Sequence, residues 1–260
     1  MVSPVRSVTS PFTDLYDYFW SQRDPRTEGW AFITDAKFTF PLLIGYVYFA
    51  KVAGPRWMKD RKPFDLKWAI LTYNALTVIA NAYFAVRLLS LTYVGGNYNL
   101  FCQGINYSSP SETDMTILSL GWWYSFITFL HVIHHFLVVL SGWFFMNFGG
   151  DGQPILGVCV NAFVHVIMYS YYFLAALGPA MQKYLWWKRY LTELQIAQFV
   201  GLMMHMAITL FYDCGYPKFL TMLALPQGFL GLGLFINFYI KSYRAQRKLH
   251  VSADKLKKHD

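Results

Sequence analysis

Residues 115–146 read MTILSLGWWYSFITFLHVIHHFLVVLSGWFFM, 32 residues without a Lys, Arg, Asp or Glu. At roughly 1.5 Å per residue such a run makes about 48 Å of helix, against a hydrocarbon core about 30 Å thick. It is too long for one comfortable membrane helix and short for two with a turn, so a long kinked or re-entrant segment is expected. His131, His134 and His135 sit inside it among apolar neighbours. Burying a polar ring without a partner costs about 1–3 kcal/mol, so three together require partners or a chemical task.

The composition around this run names its solvent. Of 260 residues, 55% are hydrophobic, 20% aromatic and only 14% charged, against roughly 25% charged in soluble domains. The chain therefore reads as an all-α, multi-pass membrane protein. Further apolar stretches close to the roughly 20 residues a crossing needs occupy 34–51, 68–91, 155–177, 190–211 and 218–240. The first twenty residues carry Pro4, Pro11, Asp14 and Asp17 in place of a continuous apolar core and cleavage site, so the first span is expected to act as the membrane address. A single transmembrane domain over 1–260 follows, with an N-terminal segment 1–33 and a basic tail 241–260.

Charge orients the bundle. Lys51, Arg56, Lys59, Arg61, Lys62 and Lys67 crowd the first connection, Lys183, Lys188 and Arg189 precede or open the fourth of these stretches, and seven more basic residues lie between Lys241 and Lys258. Cytosolic loops carry the Lys and Arg excess, so all three places, the C-terminus included, are expected in the cytosol. The net charge of +8 is then mostly topology, with the added effect that a basic face attracts polyanionic small molecules. Nucleic acid is excluded as a partner because no soluble domain is present to carry it.

The loop 92–113 falls on the luminal side by the same rule. It contains Asn106-Tyr107-Ser108, the only Asn-x-Ser/Thr sequon in the chain, which marks Asn106 for glycosylation. Cys102 in this loop and Cys214 in YDCGYP (212–217) either form a disulfide in an oxidising compartment or remain two free thiols. Cys159, inside a span, reads as a small buried hydrophobe. The terminal KLKKHD places Lys257 and Lys258 fourth and third from the end. That resembles the dilysine retrieval signal of endoplasmic-reticulum membrane proteins; the other reading is a solvated basic tail.

Polar groups within membrane spans are functional candidates because the bilayer penalises them. Residues three and four apart share a helix face, so His131, His134 and His135 converge on one stripe. Asn161, His165, Tyr169 and Tyr172 form a second, and Thr192, Gln195, Gln198 and His205 a third. Such stripes also arise from helices bonding to one another, but four imidazoles in one dry interior exceed what packing needs. Two chemistries could use them. A di-iron centre of the desaturase or hydroxylase kind needs more histidines or bridging carboxylates than this chain offers, with Glu193 the only carboxylate near these faces. Acyl transfer needs less: a neutral buried imidazole is a nucleophile or base that can attack a thioester.

Several stretches, LHVIHH (130–135), NAFVHVIMYSYY (161–172), LWWKRYLTELQIAQF (185–199), GPRWMKDRKPFDL (54–66) and YN (73–74), occur in an order and spacing that resembles the fatty acid elongases, the very-long-chain 3-oxoacyl-CoA synthases of the endoplasmic reticulum. The resemblance covers about 25–248. It implies condensation of a long-chain acyl-CoA with malonyl-CoA to a two-carbon-longer 3-oxoacyl-CoA, in a seven-helix bundle around a closed acyl tunnel, with no metal or organic cofactor. It implies association with other enzymes of the elongation cycle, and pairing with itself or a relative. By motif position it makes His134 the acyl-accepting nucleophile, His165 its partner, and His131 and His135 their supports. Asn161, Tyr169 and Tyr172 are then donors to the enolate. Lys183, Lys188 and Arg189 either meet the CoA phosphates or simply anchor the basic side, and Gln195 and Gln198 line the CoA entrance or brace the bundle.

One departure stands out. The family carries a Lys-x-x-Glu-x-x-Asp-Thr type of motif and a basic loop ahead of the histidine box, and neither is present here. Charge parity points the same way: the first connection and the tail are both basic, yet 68–91, 115–146, 155–177, 190–211 and 218–240 make an odd number of crossings between them. A shortened form is expected, its junction near Tyr124 to Ile127, with one transmembrane helix truncated or missing. Its alternative activity is that of an impaired elongase acting through association with partners.

Overall fold

The computed structural model describes residues 11–130 and 136–244. His131, His134 and His135 and the tail lysines Lys257 and Lys258 lie outside the described residues. The helices are α1 (Pro11–Ser21), α2 (Ala36–Tyr48), α3 (Gly54–Met58), α4 (Lys67–Leu91), α5 (Glu112–Leu130), α6 (Phe136–Phe148), α7 (Pro154–Ala176), α8 (Lys188–Phe211) and α9 (Lys218–Tyr239). A π-helical turn, Phe49–Ala53, joins α2 to α3 without a break, and there is no strand among the described residues. Four helical stretches are long and apolar enough to cross a membrane: α4, α7, α8 and Lys218–Tyr243. Their bounds fall within three residues of the apolar stretches expected from sequence, because a hydrocarbon core sets both.

The sequence makes helices here for local reasons. Asp35 caps α2 by accepting from the Lys37 amide. Pro154 opens α7 where an amide hydrogen has no helical partner to lose. On α4 the buried residues Leu71, Asn74, Thr77, Asn81, Phe84 and Leu88 recur every three or four positions, giving one face that packs along α7. Phe84 and Leu88 meet Ile155 and Cys159 at one end of this seam, and Tyr73 meets Tyr169 near the other, with ring centroids 6.2 Å apart. The two helices are therefore antiparallel.

The 115–146 run resolves the parity problem. Leu118 and Met146 are buried together, and a methyl group placed on Gly142 would meet Ser125 Oγ at 3.5 Å. These contacts align α5 and α6 antiparallel, so the run leaves and returns to the same end of the bundle. It adds no net crossing, and four crossings separate the basic first connection from the basic end of α9. The described parts of the run, α5 and α6, are an antiparallel helix pair with its feet at Glu112 and Phe148.

Those feet sit where the loops gather. Cys102 and Cys214 are disulfide-bonded, with Cα atoms 5.8 Å apart, which ties loop 92–111 to the turn between α8 and α9. We call this the disulfide end. The connections 59–66 and 177–187 and the end of α9 form the opposite, basic end. Asn106 is exposed at the disulfide end, its side chain closing a local turn with Ser109.

Candidate active site

Behind the hairpin lies a cavity of about 310 Å³ lined by α5, α6, α7, α8 and α9, at the lower edge of the size of small-molecule sites. Its walls are almost wholly apolar, with Val139, Phe145, Val158, Leu202 and Met206 among them, and Tyr124 and Asn161 are two of its few polar groups. A cavity of this lining suits an aliphatic chain.

On its α7 wall the polar stripe stands as the spacing predicts. The Tyr124 hydroxyl donates to Asn161 Oδ1 at 2.8 Å, and Asn161 Nδ2 lies 3.5 Å from His165 Nε2. The His165 ring stands edge-on to Tyr169 at 5.6 Å between centroids, and Tyr169 in turn meets Tyr172 at 6.1 Å. Tyr169 is buried while Tyr172 is 45% exposed, so the stripe runs from the cavity outward to the basic end. Asn161, His165, Tyr169 and Tyr172 are thus brought together. Whether the three box histidines join them lies outside the described residues.

The residues expected at the substrate mouth have mixed positions. Lys183 and Lys188 are exposed at the basic end, Lys183 with its ammonium 4.9 Å from the Tyr184 ring centroid. Arg189 is engaged by a neighbour, its Nε donating to Glu193 Oε1 at 2.8 Å and to the Tyr239 hydroxyl at 3.1 Å. Gln195 Nε2 reaches Met168 Sδ at 3.2 Å and so braces α7 against α8, and Gln198 is half-buried on the same helix.

The other end of the cavity is lined by His205 of the third stripe, whose partner Gln153 the stripe pattern did not reveal. Gln153 is fully buried. Its Oε1 accepts from the Gln103 amide at 2.8 Å, and its Nε2 donates to Phe101 O at 3.3 Å and to His205 O at 2.9 Å. His205 Nε2 is 3.0 Å from Leu100 O, which as a carbonyl can only accept. Residues 100–103 therefore form a strap across the closed end, held by the disulfide at Cys102. Gly104 makes the strap possible: a Cβ there would stand 1.9 Å from Cys214 O, a backbone atom that cannot turn aside. Gly104→Ala should destabilise the protein by about 1–3 kcal/mol, the usual overpacking cost, read as a lower melting temperature in detergent micelles.

On α4, Asn74 and Asn81 are buried against α7, with Asn74 Nδ2 and Asn81 Oδ1 lacking hydrogen-bond partners among the described residues. Their three-and-four spacing with Thr77 is a signal that sequence could have supplied. Among the described residues no group of three or more His, Cys, Asp or Glu is placed to hold a metal ion.

Four helices long and apolar enough to cross a membrane, an apolar cavity with Tyr124 and Asn161 in its wall, and His165 one turn further along α7 define a polytopic membrane protein with a polar site among its helices. The model of the ELO: GNS1/SUR4 family matches residues 31–127 and 125–251. A very long chain fatty acid elongase of Aedes aegypti is 36% identical over 259 residues, covering 92% of this chain and 72% of the relative. Very long chain fatty acid elongase 4 of Homo sapiens is 34% identical over 268 residues, covering 95% and 84%. Very long chain fatty acid elongase 7 of Drosophila melanogaster is 36% identical over 255 residues, covering 88% and 75%. The chain belongs to the ELO family of very long chain fatty acid elongases.

The alignments also measure what differs. Since 95% of 260 residues is about 247, about 21 of the 268 positions aligned with the human relative face no residue in this chain. The two matched stretches of the family model meet at 125–127, inside the interval Tyr124 to Ile127 where the sequence places its junction.

Proposed function

We propose that this protein is a fatty acid elongase that condenses a long-chain acyl-CoA with malonyl-CoA to 3-oxoacyl-CoA, carbon dioxide and free CoA. The observation that carries this reading is the pair Tyr124 and Asn161 in the wall of an otherwise apolar cavity, with His165 next to Asn161 on the same helix. An imidazole attacks the acyl thioester carbonyl, the CoA thiolate leaves and takes up a proton, and the acyl group rests on the ring nitrogen. Malonyl-CoA then loses carbon dioxide, and its α-carbon attacks the acyl carbonyl and expels the imidazole. His134 is the proposed acyl acceptor and His165 its proton-handling partner, with His131 and His135 orienting them. Asn161, Tyr169 and Tyr172 lie on the right helix face to donate to the enolate oxygen, where placed donors act most strongly. Lys183 and Lys188 are the exposed cations for CoA phosphates. Arg189 joins them by exchanging Glu193, and Gln195 and Gln198 support the entrance.

The bilayer proposed is that of the endoplasmic reticulum, with the disulfide end and the Asn106 sequon in the lumen and the basic end, with Lys257 and Lys258 beyond it, in the cytosol. A disulfide at one end and the Lys and Arg excess at the other support this orientation. The aliphatic chain would then enter at the basic end and run toward the strap. Partners are acyl-CoA, malonyl-CoA and other enzymes of the elongation cycle.

Microsomes expressing the chain should convert labelled malonyl-CoA and a long-chain acyl-CoA into a product two carbons longer, and His134→Ala should abolish it. Absence of that product from the unaltered chain would overturn the reading, and coprecipitation with a full-length relative would then point to association as its remaining role.

A further inference from the structure

At the disulfide end, loop 92–111, the start of α5 and the turn before α7 border a cleft of about 540 Å³, within the range of small-molecule sites. Where the internal cavity is apolar, this cleft is lined by Tyr98, Gln103, Ser111, Thr113 and Asp114, and Asn106 is part of the same wall. The elongation reading uses none of these side chains. We propose that the cleft is the seat of a carbohydrate carried by the chain itself: a glycan attached to Asn106 folds back into it and ties loop 92–111 to α5. The proposal rests on the orientation given above, which puts this end in the lumen.

The acceptor is held on both sides. The Asn106 carbonyl accepts from Arg26 Nη1 at 3.3 Å, and the hydroxyl of the next residue, Tyr107, donates to Phe148 O at 2.7 Å while its ring centroid lies 5.2 Å from the Arg26 guanidinium. The side-chain amide has one possible sense, because a backbone amide only donates and a carbonyl only accepts. Its Oδ1 accepts from the Ser109 amide at 3.1 Å, and its Nδ2 donates to the Ser109 carbonyl at 2.9 Å. Asn106 is nonetheless exposed. A sugar on Nδ2 therefore starts from a fixed point beside the cleft and has solvent to extend into.

Attachment takes its sugar from a lipid diphosphate-linked oligosaccharide. Nδ2 bonds to the sugar C1, the C1–O bond to phosphate breaks, the lipid diphosphate leaves, and one amide proton goes to solvent. The hydrogen that remains serves the Ser109 carbonyl, and the longer bond to Ser109 Oγ, at 3.2 Å, is given up. The cleft then offers what a sugar needs. Its hydroxyl and acetamido groups both donate and accept, and they meet the Asp114 carboxylate as an acceptor and the Ser111, Thr113 and Gln103 side chains as either, with the Tyr98 ring beside them. A polar cleft on its own would simply hold water. What selects a carbohydrate here is that the only Asn-x-Ser/Thr sequon of the chain supplies part of the wall.

The full chain expressed in microsomes tests this. It should migrate one glycan larger than its endoglycosidase-treated form. Ser108→Ala, which removes the sequon and keeps the turn of Asn106 with Ser109, should migrate at the smaller size, and Ser108→Thr should restore the larger one. In micelles the glycosylated protein should melt about 2–4 °C above Ser108→Ala. Thr113→Trp, which fills the cleft from α5, should erase that difference when compared with Thr113→Trp carrying Ser108→Ala. Native digestion gives a reading free of substitutions at the cleft: a seated glycan is exposed for only part of the time, so the endoglycosidase should release it several-fold more slowly before denaturation than after. No glycan on the unaltered chain, equal native and denatured release, or a melting difference that survives Thr113→Trp overturns the proposal. Protease added to sealed microsomes checks the orientation separately: a cleaved C-terminal tail with no glycan sinks the glycan alone, and a protected tail sinks the orientation. Ser108→Ala should elongate like the unaltered chain, so a chain that carries the glycan but makes no product would sink only the elongation reading.

Discussion

His165→Ala should reduce the elongation rate by about 10²–10⁴, the range that a positioned acid or base contributes, while leaving the melting temperature within a few degrees. The reason lies in what the ring touches. The ring approaches Asn161 Nδ2 at 3.5 Å and stands edge-on to Tyr169, both on its own helix. The α4 and α7 seam is packed by Phe84, Leu88, Ile155 and Cys159. Loss of rate with retention of fold therefore separates a chemical role from a packing role. His165→Gln should be nearly as impaired, since an amide can replace the hydrogen bond but cannot cycle a proton near neutral pH. If His165→Ala elongates at the normal rate, the imidazole that handles the thioester is elsewhere, and the α7 stripe is only a brace between helices. Rate should be read on membranes and on purified protein alike, because a lower amount of folded protein would imitate a lower kcat.

The parts of this molecule written in its sequence are those that depend on one helix at a time. Four spans follow from runs of hydrocarbon side chains, and the α7 stripe follows from residues three and four apart. The hairpin was legible only as a length that fitted neither one helix nor two. The run 115–146 has no charge and no proline to mark a turn, so its reversal shows only in contacts such as Leu118 with Met146. Tyr124 was missed for a related reason. Its neighbours Trp122, Trp123 and Phe126 are aromatic too, and only its distance to Asn161, a residue 37 positions away, distinguishes it. Gln153 precedes α7 and carries no periodic signal, and only the fold brings it to Gln103, Phe101 and His205. The stripe Asn74, Thr77 and Asn81 was available to the same spacing rule that found Asn161 and His165. Beyond the helices, the pairing of Cys102 with Cys214 was one of two readings until the fold brought them together.

A second large loss is expected from Arg26→Met, at about 3–5 kcal/mol, the cost of breaking a buried ion pair by removing one side. Arg26 lies in RDPRTEG (23–29), which reads in sequence as an ordinary solvated loop, yet its side chain is only 3% exposed, and the side chains of Asp24 and Asp151 are 0% and 3% exposed. All five guanidinium hydrogens are placed. Nε and Nη2 donate to the two Asp24 oxygens at 2.9 and 2.7 Å, Nη2 and Nη1 to the two Asp151 oxygens at 2.7 and 2.8 Å, and Nη1 also to Asn106 O at 3.3 Å. These bonds lift the guanidinium above its ordinary value against the cost of burial, while burial lifts the Asp151 carboxyl above the usual carboxylate range even with Arg26 against it. Taking away the cation leaves two buried carboxylates facing each other. One variant separates charge from packing: in Arg26→Met with Asp24→Asn and Asp151→Asn, no buried charge remains, and most of the lost stability should return. Asp151→Asn alone should be the mildest change, because Asp151 is the partner whose charge burial already disfavours. The site of failure matters as much as its size. Asp151 connects the end of α6 to the start of α7, Asp24 accepts no less from the chain around it, and the Asp24 amide donates to Asn147 O at 2.7 Å. The ion triad thus fastens the N-terminal segment to the foot of the α5 and α6 pair. Loosening that foot should expose the cavity before α4, α7, α8 and α9 separate, so limited proteolysis of Arg26→Met should cut first near 147–153. First cleavage at the basic connection 177–187 would show that the hairpin is held from elsewhere.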